Sequence, residues 1–248
     1  MSEKTIIAWT DHTFNIAWGC TKVSPGCKNC YAEGIADRYG WDAWGASGAR
    51  RTFGKKRWQE PLKWNRAAEA AGVRKKVFAS SMCDNFEDHP VVATELKKLW
   101  PLIERTPWLD WQLLTKRANR IAECLPKNWG DGWPNVWLGV SIENDEYAWR
   151  ADRLREVPAA IRFVSYEPAL GPLDSLNLDG ISWAIYGGES GPRFRPHSLE
   201  WARSMRDRCK AAGTAFFYKQ SPNRFTERGT QIDGYTIREF PATSVVIG

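Results

Sequence analysis

The strongest constraint on this chain is a repeated unit: a short, unbroken apolar run that stops abruptly in polar residues, followed in most cases by a stretch with helical spacing. The runs are Val77-Phe-Ala-Ser80, Trp111-Gln-Leu-Leu-Thr115, Val136-Trp-Leu-Gly-Val140, Ile161-Arg-Phe-Val164, Trp183-Ala-Ile-Tyr186 and Ala215-Phe-Phe-Tyr218. Strands that are apolar without alternation are buried on both faces, as in a parallel sheet covered by crossover helices. Helical spacing is read over Tyr31–Tyr39, Val91–Glu104, Tyr147–Leu154 and Leu199–Ala212, and Pro101 is expected to kink or end the second of these. A further strand within Thr5–Trp18 brings the count to six or seven. An α/β fold, an incomplete (βα) barrel of about six parallel strand–helix units, fits this better than an open doubly wound sheet.

The polar residues that end the runs share one edge of such a sheet. They are Ser81-Met-Cys-Asp-Asn85, Lys116-Arg117, Ser141-Ile-Glu-Asn144, Ser165-Tyr-Glu-Pro168, Gly187-Gly-Glu-Ser-Gly191 and Lys219-Gln220. Parallel α/β sheets and barrels place their sites on that carboxyl edge.

The most unusual polar stretch comes earlier. Trp18-Gly-Cys-Thr-Lys-Val-Ser-Pro-Gly-Cys-Lys-Asn-Cys-Tyr-Ala-Glu33 carries Cys20, Cys27 and Cys30, with Pro25-Gly26 turning the chain before the close pair. Three thiolates in one short loop suit zinc or an iron–sulfur centre. A structural zinc site needs a fourth ligand, for which Cys83, His12 and His89 are candidates, whereas a reactive centre keeps a position open. Cys124 and Cys209 fall in helical patterns and read as core.

At 248 residues a single barrel-sized unit is expected. It is assigned to residues 1–220, with a basic, Trp-rich insertion near 41–75, and residues 221–248 form a tail or cap. The net charge of +6 and a pI near 9.0 favour an anionic partner. The chain has 15 tryptophans, several beside cations, as in Arg57-Trp58, Lys63-Trp64-Asn65-Arg66 and Lys127-Asn128-Trp129. Rings next to phosphate-binding groups suit base stacking, although most tryptophans in folded proteins pack internally. The amino terminus has no signal-peptide pattern and no apolar run is long enough to span a bilayer, so a cytoplasmic protein without a membrane partner is expected.

The cysteine loop resembles the signature of a phage-associated three-cysteine-motif family related to radical S-adenosylmethionine (SAM) enzymes. Leu114-Thr-Lys-Arg117, Leu138-Gly-Val-Ser-Ile-Glu-Asn144, Ser165-Tyr-Glu-Pro168, Gly187-Gly-Glu-Ser-Gly191 and Phe217-Tyr-Lys-Gln220 extend the resemblance over about residues 9 to 220. The wider radical SAM superfamily usually spaces its cysteines three and then two residues apart; here the first gap is six. The resemblance implies that Cys20, Cys27 and Cys30 hold a 4Fe–4S cluster, with S-adenosylmethionine on the fourth iron. Reductive cleavage of SAM would then give a 5′-deoxyadenosyl radical that abstracts hydrogen from substrate.

Position at the strand ends assigns further roles under that resemblance. Gly187, Gly188 and Glu189 would receive the methionyl end of SAM, and Ser141, Glu143, Asn144, Ser165 and Glu167 its ribose. Lys116, Arg117, Arg193 and Arg195 would line the mouth and bind phosphate on substrate. Cys83 is the candidate hydrogen-atom donor. His12 is a possible neighbour of the cluster, and His89 and His197 are weak acid–base candidates. The expected function is a radical SAM-type enzyme acting on a nucleotide or nucleic acid, with an electron donor such as a flavodoxin or ferredoxin. The competing expectation is a non-catalytic nucleic-acid-binding protein with a structural zinc or iron–sulfur site.

Overall fold

The computed structural model describes residues 5–243, and along them the elements run in the following order. First come β1 (His12–Phe14), β2 (Ala17–Trp18), α1 (Tyr31–Arg38), β3 (Arg51–Thr52), α2 (Lys55–Trp58) and α3 (Glu60–Ala71). Then follow β4 (Lys75–Ala79), α4 (Pro90–Glu104), β5 (Leu109–Thr115), α5 (Ile121–Cys124) and β6 (Val136–Ser141). The chain ends with α6 (Trp149–Arg155), β7 (Ile161–Tyr166), β8 (Trp183–Gly187), α7 (Leu199–Ala212) and β9 (Ala215–Gln220). Seven strands form one sheet in the order β1-β4-β5-β6-β7-β8-β9, every neighbouring pair parallel. The sheet curls into a half-barrel with β1 and β9 at its two edges.

Both sheet faces are apolar, which explains the unbroken runs in the sequence. On the outer face Val77, Trp111, Leu138, Val164, Tyr186 and Tyr218 pack against the helices. On the inner face Phe78, Trp137, Phe163, Trp183 and Phe217 meet Trp9 from the segment before β1. Trp183 lies 5.8 Å from Trp137 and 6.1 Å from Trp9, edge to face in both cases. Each such ring buries roughly 150–250 Å², about 4–6 kcal/mol at ~25 cal/mol per Å² before chain entropy is counted. The amino end of the half-barrel is therefore a solid plug.

Strand alternation then decides what faces inward at the other end, because residues two apart share a face. Trp137 is followed on its face by Gly139 and Ser141, Phe163 by Ser165, Ile185 by Gly187, and Phe217 by Lys219. Bulk and apolarity give way to small and charged groups over two steps of each strand. The result is a polar cup at the carboxyl edge above an aromatic floor.

Pro101 lies inside α4 and does not end it. It is exposed, so water can reach the Lys97 carbonyl that loses its backbone donor there. The 41–75 stretch contributes structure to the main unit: β3 pairs antiparallel with β2 (Trp18 with Arg51), and α3 packs Trp64 and Ala68 into the outer core. The tail runs beside β9. Tyr218 N donates to Ile237 O at 2.9 Å, Phe216 N to the Glu239 carboxylate at 2.9 Å, and Trp183 Nε1 to Glu239 O at 2.9 Å. Ala8 N also donates to Glu227 Oε1 at 3.3 Å, tying the tail to the segment before β1. Residues 1–4 and 244–248, which begin the unit assigned to 1–220 and end the tail assigned to 221–248, lie outside the described residues. Among the described residues no helix is long and apolar enough to cross a membrane.

Candidate active site

The two-residue strand β2 hands the chain to the cysteine loop, which turns at Pro25–Cys27 and ends where Cys30 precedes the first turn of α1. The loop lies over the polar cup. Cys20, Cys27 and Cys30, all partly exposed, line one cavity of about 1230 Å³ together with Ser80, Cys83, Lys116, Ser141, Ser165, Glu167 and Lys219.

The loop is held from below by carboxylates that follow alternate strands. Thr21 N donates to Glu87 Oε1 at 2.8 Å, Ser24 Oγ to Glu143 Oε1 at 2.6 Å, and Asn29 Nδ2 to Glu189 Oε2 at 3.1 Å. Glu87 follows β4, Glu143 follows β6 and Glu189 follows β8, so one anchor sits beside each cysteine. An arginine backs each carboxylate. Arg50 reaches both oxygens of Glu87 at 2.8 Å, Arg150 meets Glu143 at 2.9 Å, and Arg195 meets Glu189 through both its backbone N and its guanidinium. Burial alone would raise Glu87 and Glu189, but hydrogen bonds from Arg50 and Thr21 to the first, and from Arg195 and Asn29 to the second, outweigh it. Both carboxyls are held below their usual range.

Backbone packing makes the anchors tight. A Cβ at Gly26 would lie 2.4 Å from Glu143 Oε1, and one at Gly188 would lie 2.2 Å from the backbone N of Pro222. A side chain at either position requires its neighbour to move.

Arg117 comes in from the end of β5. Its guanidinium lies 3.6 Å from Cys20 Sγ, and it donates to Asp84 Oδ2 at 2.9 Å and to Thr21 O at 2.8 Å. Burial, and then the Asp84 charge, push the Cys20 thiol up to about 12 despite Arg117. Burial also raises Cys30, and it pushes Cys83 up to about 12.

The remaining cup is less committed. Ser141 and Ser165 face it from adjacent strands, Glu167 is paired with Lys219, and Lys116 Nζ stands 4.0 Å from Glu143 Oε1. At the rim Tyr31, Tyr39 and Phe225 are exposed, with Arg38, Arg193 and Arg224 beside them.

Several residues expected at the ligand make close contacts within the protein. Glu143, Glu189 and Arg195 clamp the cysteine loop, and Arg195 also donates to Pro25 O at 3.1 Å. Gly187 packs on the Glu167 carboxyl, and Gly188 on Pro222. Asn144 lies against Gly171, outside the cavity lining. Arg117 lines the cavity wall beneath the loop, largely enclosed and hydrogen-bonded to Cys20, Thr21 and Asp84. Ser141, Ser165, Glu167, Lys116, Arg193 and Cys83 line the cavity, as do Arg117 and Glu189 beside their contacts to the loop. His12 stacks on Trp64 at 4.4 Å, His89 accepts from Val91 N at the start of α4, and His197 Nδ1 is 2.8 Å from Tyr186 Oη. The tryptophans beside cations are internal: Trp58 packs on Phe14, Trp64 is buried, and Trp129 packs on Trp100 and Trp133. Sequence reasoning gave no role to Ser24, Asn29, Glu87, Lys219 and Phe225. Of these only Lys219 was placed at the site edge, as the polar end of an apolar run.

The donor set fits an iron–sulfur cluster. Three cysteine side chains line one cavity, and hydrogen bonds from Thr21, Ser24 and Asn29 to carboxylates hold the loop that carries them. Among the described residues no three His, Cys, Asp or Glu side chains are gathered closely enough to hold a single metal ion. Three thiols lining a shared space suit a cluster, in which each sulfur binds a different iron.

A protein family described as "Protein of unknown function (DUF5131)" matches residues 4–241. No curated protein matches the sequence. Among solved structures, a spore photoproduct lyase variant aligns with a TM-score of 0.52 and 10% identity, over 85% of this chain and 75% of that one. A second variant, with bound AdoMet and dinucleoside spore photoproduct, aligns with a TM-score of 0.48 and 12% identity, over 80% of this chain. This chain spans 61% of the length of that second structure. The likeness is one of fold: a curled, parallel α/β half-barrel.

Proposed function

The chain belongs to the DUF5131 family of proteins of unknown function, and from that premise we propose that it is a radical SAM-type iron–sulfur enzyme acting on a nucleotide or nucleic acid. The observation that carries this reading is the convergence of Cys20, Cys27 and Cys30 on one cavity at the carboxyl edge of a parallel half-barrel. These three residues would hold the cluster as thiolates. When bound, the cluster and S-adenosylmethionine supply the electron and the hydrogen-abstracting group.

The protein's own part is to bind, orient and exclude water. Ser141 and Ser165 offer hydroxyls to the ribose of SAM, and the Glu167–Lys219 pair offers an acceptor and a donor to its methionyl end. Glu143 and Glu189 serve the same ligand indirectly, by holding the loop above it. The aromatic floor from Trp9 to Trp183 closes the cavity from below, which suits chemistry that water would quench. Cys83 lines the cavity, and its S–H bond could give a hydrogen atom to a product radical, leaving a thiyl radical that an electron from the external donor and a proton would restore to the thiol.

The rim supports the substrate class. Glu167 and Glu189 are each matched by a cation, while Arg193 and Arg224 have no carboxylate partner among the described residues. Exposed rings beside unpaired cations favour bases next to phosphates. A phage or prophage origin and a flavodoxin or ferredoxin as electron donor belong to the same reading and rest on the cysteine-loop resemblance.

The test is anaerobic reconstitution with iron and sulfide, reduction, and electron paramagnetic resonance with and without SAM, with 5′-deoxyadenosine assayed in the same tube. A cluster signal that changes with SAM, together with 5′-deoxyadenosine, is the expected result. A protein that takes up colourless zinc and gives neither signal overturns the proposal in favour of a metal-stabilised binding module.

A further inference from the structure

Arg117 is the one cation that touches a cysteine of the loop through its side chain among the hydrogen bonds of the described residues. Its side chain is 10% exposed, and both terminal nitrogens are engaged: Cys20 Sγ and Asp84 on one, Thr21 O and, at 3.4 Å, Glu87 on the other. A phosphate that took over these two nitrogens would have to break this set.

We propose that Arg117 is a positioning and potential-setting residue for a cluster on Cys20, acting as a hydrogen-bond donor to the ligating sulfur. The inference rests on the reading of Cys20, Cys27 and Cys30 as cluster ligands. Asp84, itself fixed by Thr115 Oγ1 at 2.7 Å and Lys116 N at 3.1 Å, aims the guanidinium. The Thr21 carbonyl bond locks it to the residue next to the ligand. Hydrogen bonds and positive charge at a cluster sulfur stabilise the more negative, reduced state and so raise the reduction potential. The charges around Cys20 explain why one arginine matters. Arg50 and Arg117 face Asp84 and Glu87, a balanced set; without Arg117, one buried negative charge remains uncompensated close to Cys20.

The test is a redox titration of the reconstituted protein, read by electron paramagnetic resonance, on wild type, Arg117→Gln and Arg117→Lys. At a potential where the wild-type cluster is half reduced, Arg117→Gln should show about a tenfold lower ratio of reduced to oxidised cluster, equivalent to about 59 mV for a one-electron couple. Arg117→Lys keeps the charge that Asp84 and Glu87 require but loses the fork, and it should fall between the two. Should Arg117→Gln not take up a cluster, Arg117→Lys decides the matter alone, and a wild-type potential in it overturns the inference. A loaded Arg117→Gln with wild-type potential overturns it as well. A wild-type protein that takes up no cluster defeats the functional proposal itself, and the inference with it.

Discussion

Ser24 and Glu143, 119 positions apart in the chain, are joined by a 2.6 Å hydrogen bond that pins the cysteine loop to the carboxyl end of β6. Arg150 holds the second carboxylate oxygen at 2.9 Å, and the Glu143 side chain is fully buried. The acid is therefore a fixed post, and Gly26 packs directly on it.

Glu143→Ala should cost about 3–5 kcal/mol, because it leaves Arg150 buried and uncompensated. Gly26→Ala should cost about 1–3 kcal/mol through overpacking against an acid that is held in place. Urea unfolding followed by tryptophan fluorescence measures both, and a wild-type midpoint for Glu143→Ala would show that the post bears no strain. Both variants should also bind less iron on reconstitution.

Glu87 and Glu189 give the anchoring a pH dependence of defined sign. Their folded-state carboxyls sit below the ordinary value of 4.5. The stability they contribute is complete above that value and is lost as pH falls through it and on through the folded pKa. The urea midpoint should accordingly be insensitive to these groups near neutrality and fall in acid. Glu189→Gln should lower the midpoint at pH 7 and flatten the acid limb; an acid limb as steep as the wild type's would rule Glu189 out as a contributor.

The two classes of cysteine should separate cleanly. Cys27→Ala should lose iron uptake and SAM cleavage together, and normal iron content in it would sink the ligand assignment. Cys83→Ala should keep its iron and its 5′-deoxyadenosine, with the product distribution altered. An unchanged distribution removes Cys83 as a hydrogen-atom donor.

The fold was legible because the strands are buried on both faces. Runs such as Val136–Val140 and Ala215–Tyr218 have no solvent side to disguise, and their polar ends mark the site edge directly. What those ends do was much less legible. Glu143, Glu189, Arg117 and Arg195 all lie at the predicted edge, yet their partners are Ser24, Asn29, Cys20 and Pro25, more than a hundred positions away for Glu143, Glu189 and Arg195. Nothing local in a strand end distinguishes a carboxylate that meets a ligand from one that meets a loop. The glycine pair behaves similarly: Gly188 is small because Pro222 occupies the space a side chain would need. Tryptophan misled for a related reason. Cations beside Trp64 and Trp129 in sequence point to solvent on a helix or turn while the ring packs inward, so adjacency does not mean a shared surface.

Phe225 and Arg224 provide the sharpest test of the substrate class, because they sit on the rim and take no part in holding the cysteines. Phe225 is 63% exposed and Arg224 lies 5.8 Å from its ring centroid, so neither contributes much to folding. Stacking of a base on an aromatic ring is worth about 1–3 kcal/mol, so Phe225→Ala should weaken binding of a short single-stranded oligonucleotide by roughly five- to 150-fold. Arg224→Gln should act differently: its loss removes one phosphate contact and lowers the slope of log affinity against log salt by about 0.7 for a single strand. Fluorescence anisotropy across a salt series reads both effects on one sample. Binding unchanged in affinity and in salt slope for both variants would remove nucleic acid as the ligand of this rim and leave the cluster chemistry, which neither residue touches, to be tested against small phosphorylated metabolites instead.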